Sequence, residues 1–368
     1  MHRVLLLSAD SPFALAVVRA FRNQPDWQVT VLGKNFFCPA SFSRYCHQKR
    51  RLKPSQSQEA FSDCSWLLEV IKEVQADLLL PVDISDIRLV IEHRKSIEQY
   101  CRVGLIPSLE SFLIALDKSC FVEFARQNSI PHPRSVIIRP GEMNSLIDEL
   151  EGVRFPILLK HPRSGYGVGI HRIETLDEIR AIFNRGFNDT ESYIAQEEVP
   201  GTDIDCSVLC LNGNVIASTV QKPILTNPRE FAPPIAIELI DEPKVLNLAQ
   251  DIAHRLNWHG VAHIDMRYDS RTDELFAIEM NPRYWGSLEA STRSGVNFPL
   301  LWSQTSLGEP ITKIDKKHIR YATGASIPRL YRSKLPKDQK SFSIWETAFA
   351  DWVRDPLPTL IELLQKFS

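Results

Sequence analysis

The chain has 368 residues, of which 43% are hydrophobic, enough apolar material for two or three connected domains rather than one small core. Its 43 Lys and Arg against 45 Asp and Glu leave a formal charge of −2, which argues against a polyanion held by bulk electrostatics, so no nucleic-acid partner is expected. Seven scattered cysteines form neither a zinc pattern nor a disulfide framework and read as buried thiols; no apolar run reaches bilayer length, so no membrane partner and a cytoplasmic location are expected.

Taken in chain order, Val4 to Leu7 reads as a buried strand, and Ser11-Pro12 opens a helix with Phe13, Val17, Val18 and Phe21 on one face. Val29 to Leu32 reads as the next strand, Trp66 to Val74 as a helical stripe, and Asp77 to Leu80 as a further buried strand, an alternation that indicates a small parallel α/β domain. The first turn, Ser8-Ala9-Asp10-Ser11-Pro12-Phe13, lacks the glycines that let backbone amides approach a pyrophosphate, so this domain is a Rossmann-like shell without a dinucleotide. Short helices follow at Leu109 to Leu116 and Lys118 to Gln127, then strands at Val136 to Ile138 and Phe155 to Lys160. Thr175 and Glu178 make a capping box for a helix carrying Leu176, Ile179 and Ile182. Tyr193 to Glu198 and Cys206 to Leu211 read as strands, and Asn212-Gly213 as a tight hairpin turn, since both residues accept positive φ. A surface loop at Thr226 to Pro234, a helix at Val245 to Leu256, and strands at Ala262 to Tyr268 and Leu275 to Met280 complete the central part. Leu330 to Lys340 is basic and polar, and Ser341 to Phe367 reads as a terminal helical hairpin.

Four segments carry chemistry. Lys160 ends a strand and is followed by His161-Pro162-Arg163-Ser164 and a loop with Gly165, Gly167 and Gly169, whose backbone N–H groups can curl around phosphate oxygens while the lysine supplies a movable charge. Gln196 to Asp203 is a strand edge ending in Pro-Gly, with polar groups for a purine and a ribose. Glu279 and Asn281, two apart on a strand, project to one side, and with Asp265 they offer the hard oxygen donors that magnesium takes. Arg283, two residues beyond, can hold a second anion through its fork of donors. His259 and His263 read as structural or surface residues.

Lys118, Lys160 with its glycine loop, Gln196 to Asp203, and Asp265 with Glu279-Met280-Asn281-Pro282-Arg283 resemble the ordered motifs of the ATP-grasp superfamily, particularly its carboxylate–amine ligases and the carboxylase and carbamoyl phosphate synthase branches. The resemblance covers roughly residues 110 to 310 and implies a mixed α/β and α+β fold, an ATP-grasp fold behind a Rossmann-like pre-ATP-grasp domain. The expected divisions are 1–110 for that first domain, 111–195 for the small lid subdomain, 196–325 for the large subdomain with the metal site, and 326–368 for a helical extension. It further implies ATP and Mg2+ (or Mn2+) as cofactors. Lys118, Lys160, Ser164, Gly165 and Gly167 would meet phosphates; Glu197 and the backbone of Val199 would line the adenine cleft, and Asp203 would hold ribose. Asp265, Glu279 and Asn281 would be metal ligands, with Lys160 and Arg283 acting on the transferred phosphoryl group or the acceptor.

The implied activity is activation of a carboxylate as an acyl phosphate and its capture by an amine, with small-molecule partners and a homodimer in keeping with related ligases. Two alternatives stay open: phosphorylation of an enol or hydroxyl before amine condensation, and a nucleotide-binding protein without catalysis. Arg44, Arg229, Arg283, Tyr284, Trp285 and Ser287 are candidates for the acceptor pocket.

Overall fold

The first 110 residues build a parallel sheet because their strands are apolar on both sides and need cover on both. In the computed structural model, which describes the chain except residues 36, 53–62, 141–148, 151, 166, 185–191, 312–313, 324–341 and 368, β1 (His2–Leu6), β2 (Trp27–Gly33), β3 (Gln48–Arg51), β4 (Leu78–Leu80) and β5 (Arg102–Val103) lie in the order β3-β2-β1-β4-β5. Val4, Leu6, Val29, Val31, Leu78 and Leu80 face one core, and Leu5, Leu7, Leu32, Leu79 and Val103 face another. Helices α1 (Ala14–Arg19), α2 (Ser65–Val74) and α3 (Ile84–Ile97) belong to this unit. The β1–α1 turn makes no phosphate cradle: Ser8 and Ser11 hydroxyls donate to Asp86 and Asp83 at 2.6 and 2.9 Å, and Asp10 accepts from the backbone N–H of Lys34 and Asn35.

Two antiparallel sheets follow. The smaller, β6 (Ser135–Ile138), β7 (Ile157–Lys160), β8 (His171–Ile173) and β9 (Tyr193–Glu197) in the order β6-β9-β7-β8, is covered by α6 (Leu176–Asn184). The capping box before α6 closes one residue early: Glu178 N–H donates to the Thr175 hydroxyl, but its carboxylate accepts from Glu174 N–H. The larger sheet contains β10 (Thr202–Leu211), β11 (Asn214–Leu225), β12 (Ala236–Ile240), β13 (Gly260–Asp269), β14 (Glu274–Asn281) and β15 (Arg320–Ala322), ordered β14-β13-β10-β11-β12-β15. Asn212 and Gly213 join β10 to β11 with φ of 49° and 77°, as the hairpin reading requires.

Alternation along β10 and β13 gives the large sheet two unlike faces. Ile204, Cys206, Val208, Cys210, Ala262, Ile264 and Met266 point to a core shared with α7 (Pro243–Arg255), α4 (Leu109–Leu116) and α5 (Lys118–Gln127). The two thiols on this face are free and buried, as expected, whereas Cys46 is half-buried and Cys120 exposed. On the opposite face Leu209, Ala217 and Val261 join the core of the first domain together with α9 (Phe298–Leu307), while Asp205, Ser207, His263 and Asp265 leave the rest of that face polar. Helix α8 (Leu288–Arg293) and the last helices, α10 (Phe349–Arg354) and α11 (Pro356–Phe367), complete the described α-helices, none of which is long and apolar enough to cross a membrane.

Two expected divisions differ from this packing. A cut between 195 and 196 passes through β9, whose Gln196 and Glu197 pair with β6 and β7 of the small sheet. Residues 111 to 127 belong to α4 and α5, whose Phe121, Phe124 and Ala125 fill the core of the large sheet. The basic stretch Leu330 to Lys340 and Tyr166 lie outside the described residues.

Candidate active site

The strand alternation that produces the polar face also delivers the expected acidic groups to one place. Asp265 is directly opposite Glu279 in the β13–β14 pair, and His263 is opposite Asn281. The Asn281 amide nitrogen donates to Asp265 Oδ2 at 3.3 Å and to Glu279 Oε1 at 3.1 Å, while its oxygen accepts from Arg283 Nη2 at 3.2 Å. Lys118, at the start of α5, reaches across with Nζ 2.9 Å from Glu279 Oε2 and donates to the carbonyl of Ser164 at 2.5 Å. One contact therefore joins the phosphate-loop segment to the candidate metal ligands.

Lys160 projects from the end of β7, 6% exposed, with Nζ donating to Gln196 Oε1 at 2.8 Å; Gln196 in turn donates to the Ser135 hydroxyl at 3.0 Å. Burial is the main force pulling its ammonium down to about 8; Lys118 and Arg267 add to the effect, and Glu279 and Asp265 oppose it.

Burial also acts on the carboxylates, and charge sorts them. It pushes Glu279 up, but Lys118, the Asp265 hydrogen bond and Lys160 outweigh it and hold Glu279 at about 2. Asp265 goes the other way, well above the carboxylate range, through burial and the neighbouring charges of Glu279 and Asp205. Adjacent carboxylates meet too little positive charge to ionise together, and Lys118 decides which does. Asp205, raised to about 7 by burial, and His263, lowered to about 3 by burial and by Arg283, lie on the same face.

A cavity of about 350 Å³ opens in front of these groups, lined by Pro12, Asp83 and Ile84 of the first domain and by Lys118, Arg163, Ser164, Gly165, Glu279, Asn281 and Arg283. Arg283 lies over the Phe13 ring at 4.7 Å, so its fork is steadied by the first domain. Gly167, at φ 68°, brings the glycine loop against the β11–β12 connection: a Cβ there would sit 2.2 Å from the carbonyl oxygen of Phe231.

Other expectations are placed differently. Strand pairing puts Gln196, not Glu197, on the Lys160 face; Glu197 shares its side with Ile157, Leu159 and Ala195 and accepts from the backbone N–H of Arg154 at 2.8 Å. Asp203 is paired with Arg267 at 2.5 Å, and the same guanidinium donates to the carbonyl of Val199. Arg44 lies with the C-terminal helices, its backbone N–H on Asp355 and its side chain on the carbonyl of Arg354. Arg229 lines a separate cavity beside the glycine loop. Ser287 donates to Gln221, which donates to Asp205. Neither Asp205 nor Gln221 was singled out from the sequence, although the alternating Asp203, Asp205, Ser207 and His263, Asp265, Arg267 mark a polar strand face.

Comparison with known proteins agrees with this fold. A family profile described as "ATP-grasp in the biosynthetic pathway with Ter operon" matches residues 189–326. The biotin carboxylase of Campylobacter jejuni, solved as a β-γ-ATP complex, superposes with a TM-score of 0.69 at 16% identity over 86% of this chain and 74% of that one. Residues 189–326 thus match an ATP-grasp family, and the chain shares the fold of these solved structures. The carbamoyl-phosphate synthase of Methanobrevibacter smithii is 25% identical over 61% of this chain and 62% of its own length. A D-alanine–D-alanine ligase of Mycobacterium sp. (strain KMS) is 23% identical over 50% of this chain and 56% of its own. The chain thus spans about three fifths of the curated relatives it matches.

Proposed function

We propose that this ATP-grasp chain is an ATP-dependent ligase that activates a carboxylate as an acyl phosphate and passes the acyl group to an amine. The observation that carries the reading is the convergence of Lys118, Glu279, Asp265, Asn281 and Arg283 on one cavity between the first domain and the two antiparallel sheets. Similarity to a D-alanine–D-alanine ligase supports a ligase reading.

The donor set fits Mg2+ after one adjustment. Asp265 and Glu279 supply two carboxylates, and the Asn281 amide nitrogen now stands between them; turning the amide over presents its oxygen instead. Bound there, magnesium supplies charge neutralisation at the nucleotide phosphates. Lys160 and Lys118 bring positive charge to the phosphate side, and Arg283 holds the acceptor carboxylate or the transferred phosphoryl group. The glycine loop, closed on Phe231, excludes water from the acyl phosphate. A carboxylate oxygen attacks the γ-phosphorus with loss of ADP; the amine then attacks the acyl carbon, the C–O bond breaks with its electron pair on the departing phosphate, and the proton lost from the amine nitrogen passes to phosphate or solvent.

A screen crossing carboxylic acids with amines, read by ADP release and product mass, tests the proposal, with hydroxamate trapping to detect the acyl phosphate. Glu279→Gln is expected to lower turnover at least a hundredfold. Full Mg2+-dependent activity in that variant, or phosphate release with a keto or enol acceptor and no hydroxamate, would overturn the assignment.

A further inference from the structure

An ammonium has three hydrogens to place, and burial makes each costly to leave without an acceptor. Lys160, 6% exposed, places one of them on Gln196 Oε1 at 2.8 Å. Among the described residues no carboxylate lies within ion-pair distance of its Nζ, and Glu279 is engaged by Lys118 instead. The partner of this buried cation is therefore a neutral amide, itself 3% exposed.

The far end of that amide fixes which way it faces. The buried Ser135 hydroxyl donates its one proton to the carbonyl of Pro133 at 2.8 Å, so toward Gln196 it can only accept, and it does so from Nε2 at 3.0 Å. Turned over, the amide would set its oxygen against an oxygen with no proton to give, and its NH2 against an ammonium. Both ends agree on one orientation, with the acceptor toward Lys160. Strand pairing builds the relay: Ser135 is directly opposite Gln196 on β6 and β9, and Gln196 is opposite Leu158 on β7, which puts Lys160 on the diagonal and on the same face.

A carboxylate at position 196 would pair with Lys160 and neutralise it inside the sheet. A neutral acceptor steadies the ammonium and leaves its charge, and two of its hydrogens, for an anion. We infer that Gln196, locked by Ser135, is the positioning residue that presents Lys160 to the nucleotide phosphates as a fixed, uncompensated cation. The inference rests on the nucleotide-binding part of the proposed function and not on the acid or the amine. The other charged groups acting on Lys160 are Lys118 of α5, Arg267 and Asp265 of β13 and Glu279 of β14, and substitution at 196 or 135 alters none of them.

The test is the calorimetric MgATP affinity of the full chain between about pH 7 and about pH 9.5, where the loss of the Lys160 proton weakens binding. Gln196→Glu, of the same size, is expected to lower affinity at neutral pH at least fivefold and to move the alkaline break upward by about one pH unit, because a carboxylate holds the proton on Lys160. Gln196→Met withdraws the acceptor and should move the break downward. Ser135→Ala lets the amide turn and should move it the same way by less, with under twofold further effect once Gln196→Met is present. A side chain that only packed the sheet would lower the thermal midpoint without displacing the break in opposite directions. If Gln196→Met does not fold, the opposed displacements in Gln196→Glu and Ser135→Ala decide alone. A break at one pH in all variants, or an equal effect of Ser135→Ala with and without Gln196, would overturn the inference while leaving nucleotide binding in place. A wild-type chain that does not bind MgATP would overturn both. Displaced breaks with no turnover across the acid and amine screen would remove the ligase proposal and leave this one standing.

Discussion

Lys160 shows how one residue links burial, charge and ligand. With its ammonium held at about 8 instead of the ordinary 10.5, the unfolded chain carries a proton that the folded chain has released between those values. Stability from this group therefore rises as pH climbs through that window and is lost as pH falls back toward 8. Nucleotide affinity runs the opposite way, because phosphate needs the charged form. Calorimetric ATP affinity is expected to fall with pH above about 8, by no more than tenfold per unit, and Lys160→Met should both weaken binding at least tenfold and flatten that dependence. Gly167 carries a purely steric demand at the same scale. Gly167→Ala sets a methyl 2.2 Å from the Phe231 carbonyl at a backbone φ of 68°, so turnover should drop at least fivefold while the unfolding midpoint moves by only about 3 °C.

The elements that read clearly from sequence are those whose own pattern is sufficient. Helices α4 and α5 begin and end at Leu109, Leu116, Lys118 and Gln127, as expected, because Ser108 and Asp117 cap them with their own side chains. The hairpin at Asn212-Gly213 is equally local. Gly213→Val, at φ 77° with the Cα of His254 only 3.2 Å from an added Cβ, is expected to cost about 1–3 kcal/mol in chemical denaturation without altering turnover per folded molecule. Strands β3, β5, β8 and β15, two to four residues each, escape such reading because nothing inside them exceeds the strength of a loop pattern; the neighbouring strand supplies their hydrogen bonds. Helix α3 was passed over because Arg88, Glu92, His93, Arg94 and Lys95 dilute its apolar stripe, although Asp83 and Asp86 form a full capping box at its start.

Across the whole molecule, buried charge ties the C-terminal helices to the rest. Asp351, 1% exposed, is 3.4 Å from Arg22 and 2.5 Å from Arg293, and Arg22 also meets Glu289 at 2.7 Å. Asp355 receives Arg19 of α1 at 3.0 Å and the Ser43 hydroxyl at 2.8 Å, so two buried clusters tie α1 and the segments after it, and helix α8, to the end of the chain. Asp351→Ala leaves two guanidinium groups without this partner in a desolvated place, and the expected loss is about 3–5 kcal/mol, visible as a lowered thermal midpoint. Turnover by the remaining folded molecules should be unchanged, since none of these groups lines the cavity in front of Glu279.

Sequence alone determined which chemical groups each strand carries and on which side they alternate: Glu279 with Asn281, Lys160 at a strand end, glycines spaced in a loop. Those properties are local, set by the two-residue repeat of a strand and by the φ a residue tolerates. Only the tertiary structure decided which strands are neighbours. That choice set Asp205 opposite Asp265, turned Gln196 instead of Glu197 toward Lys160, and carried Arg44 away to the C-terminal helices. Long-range strand pairing depends on the packing of every face at once, so no window of residues contains it.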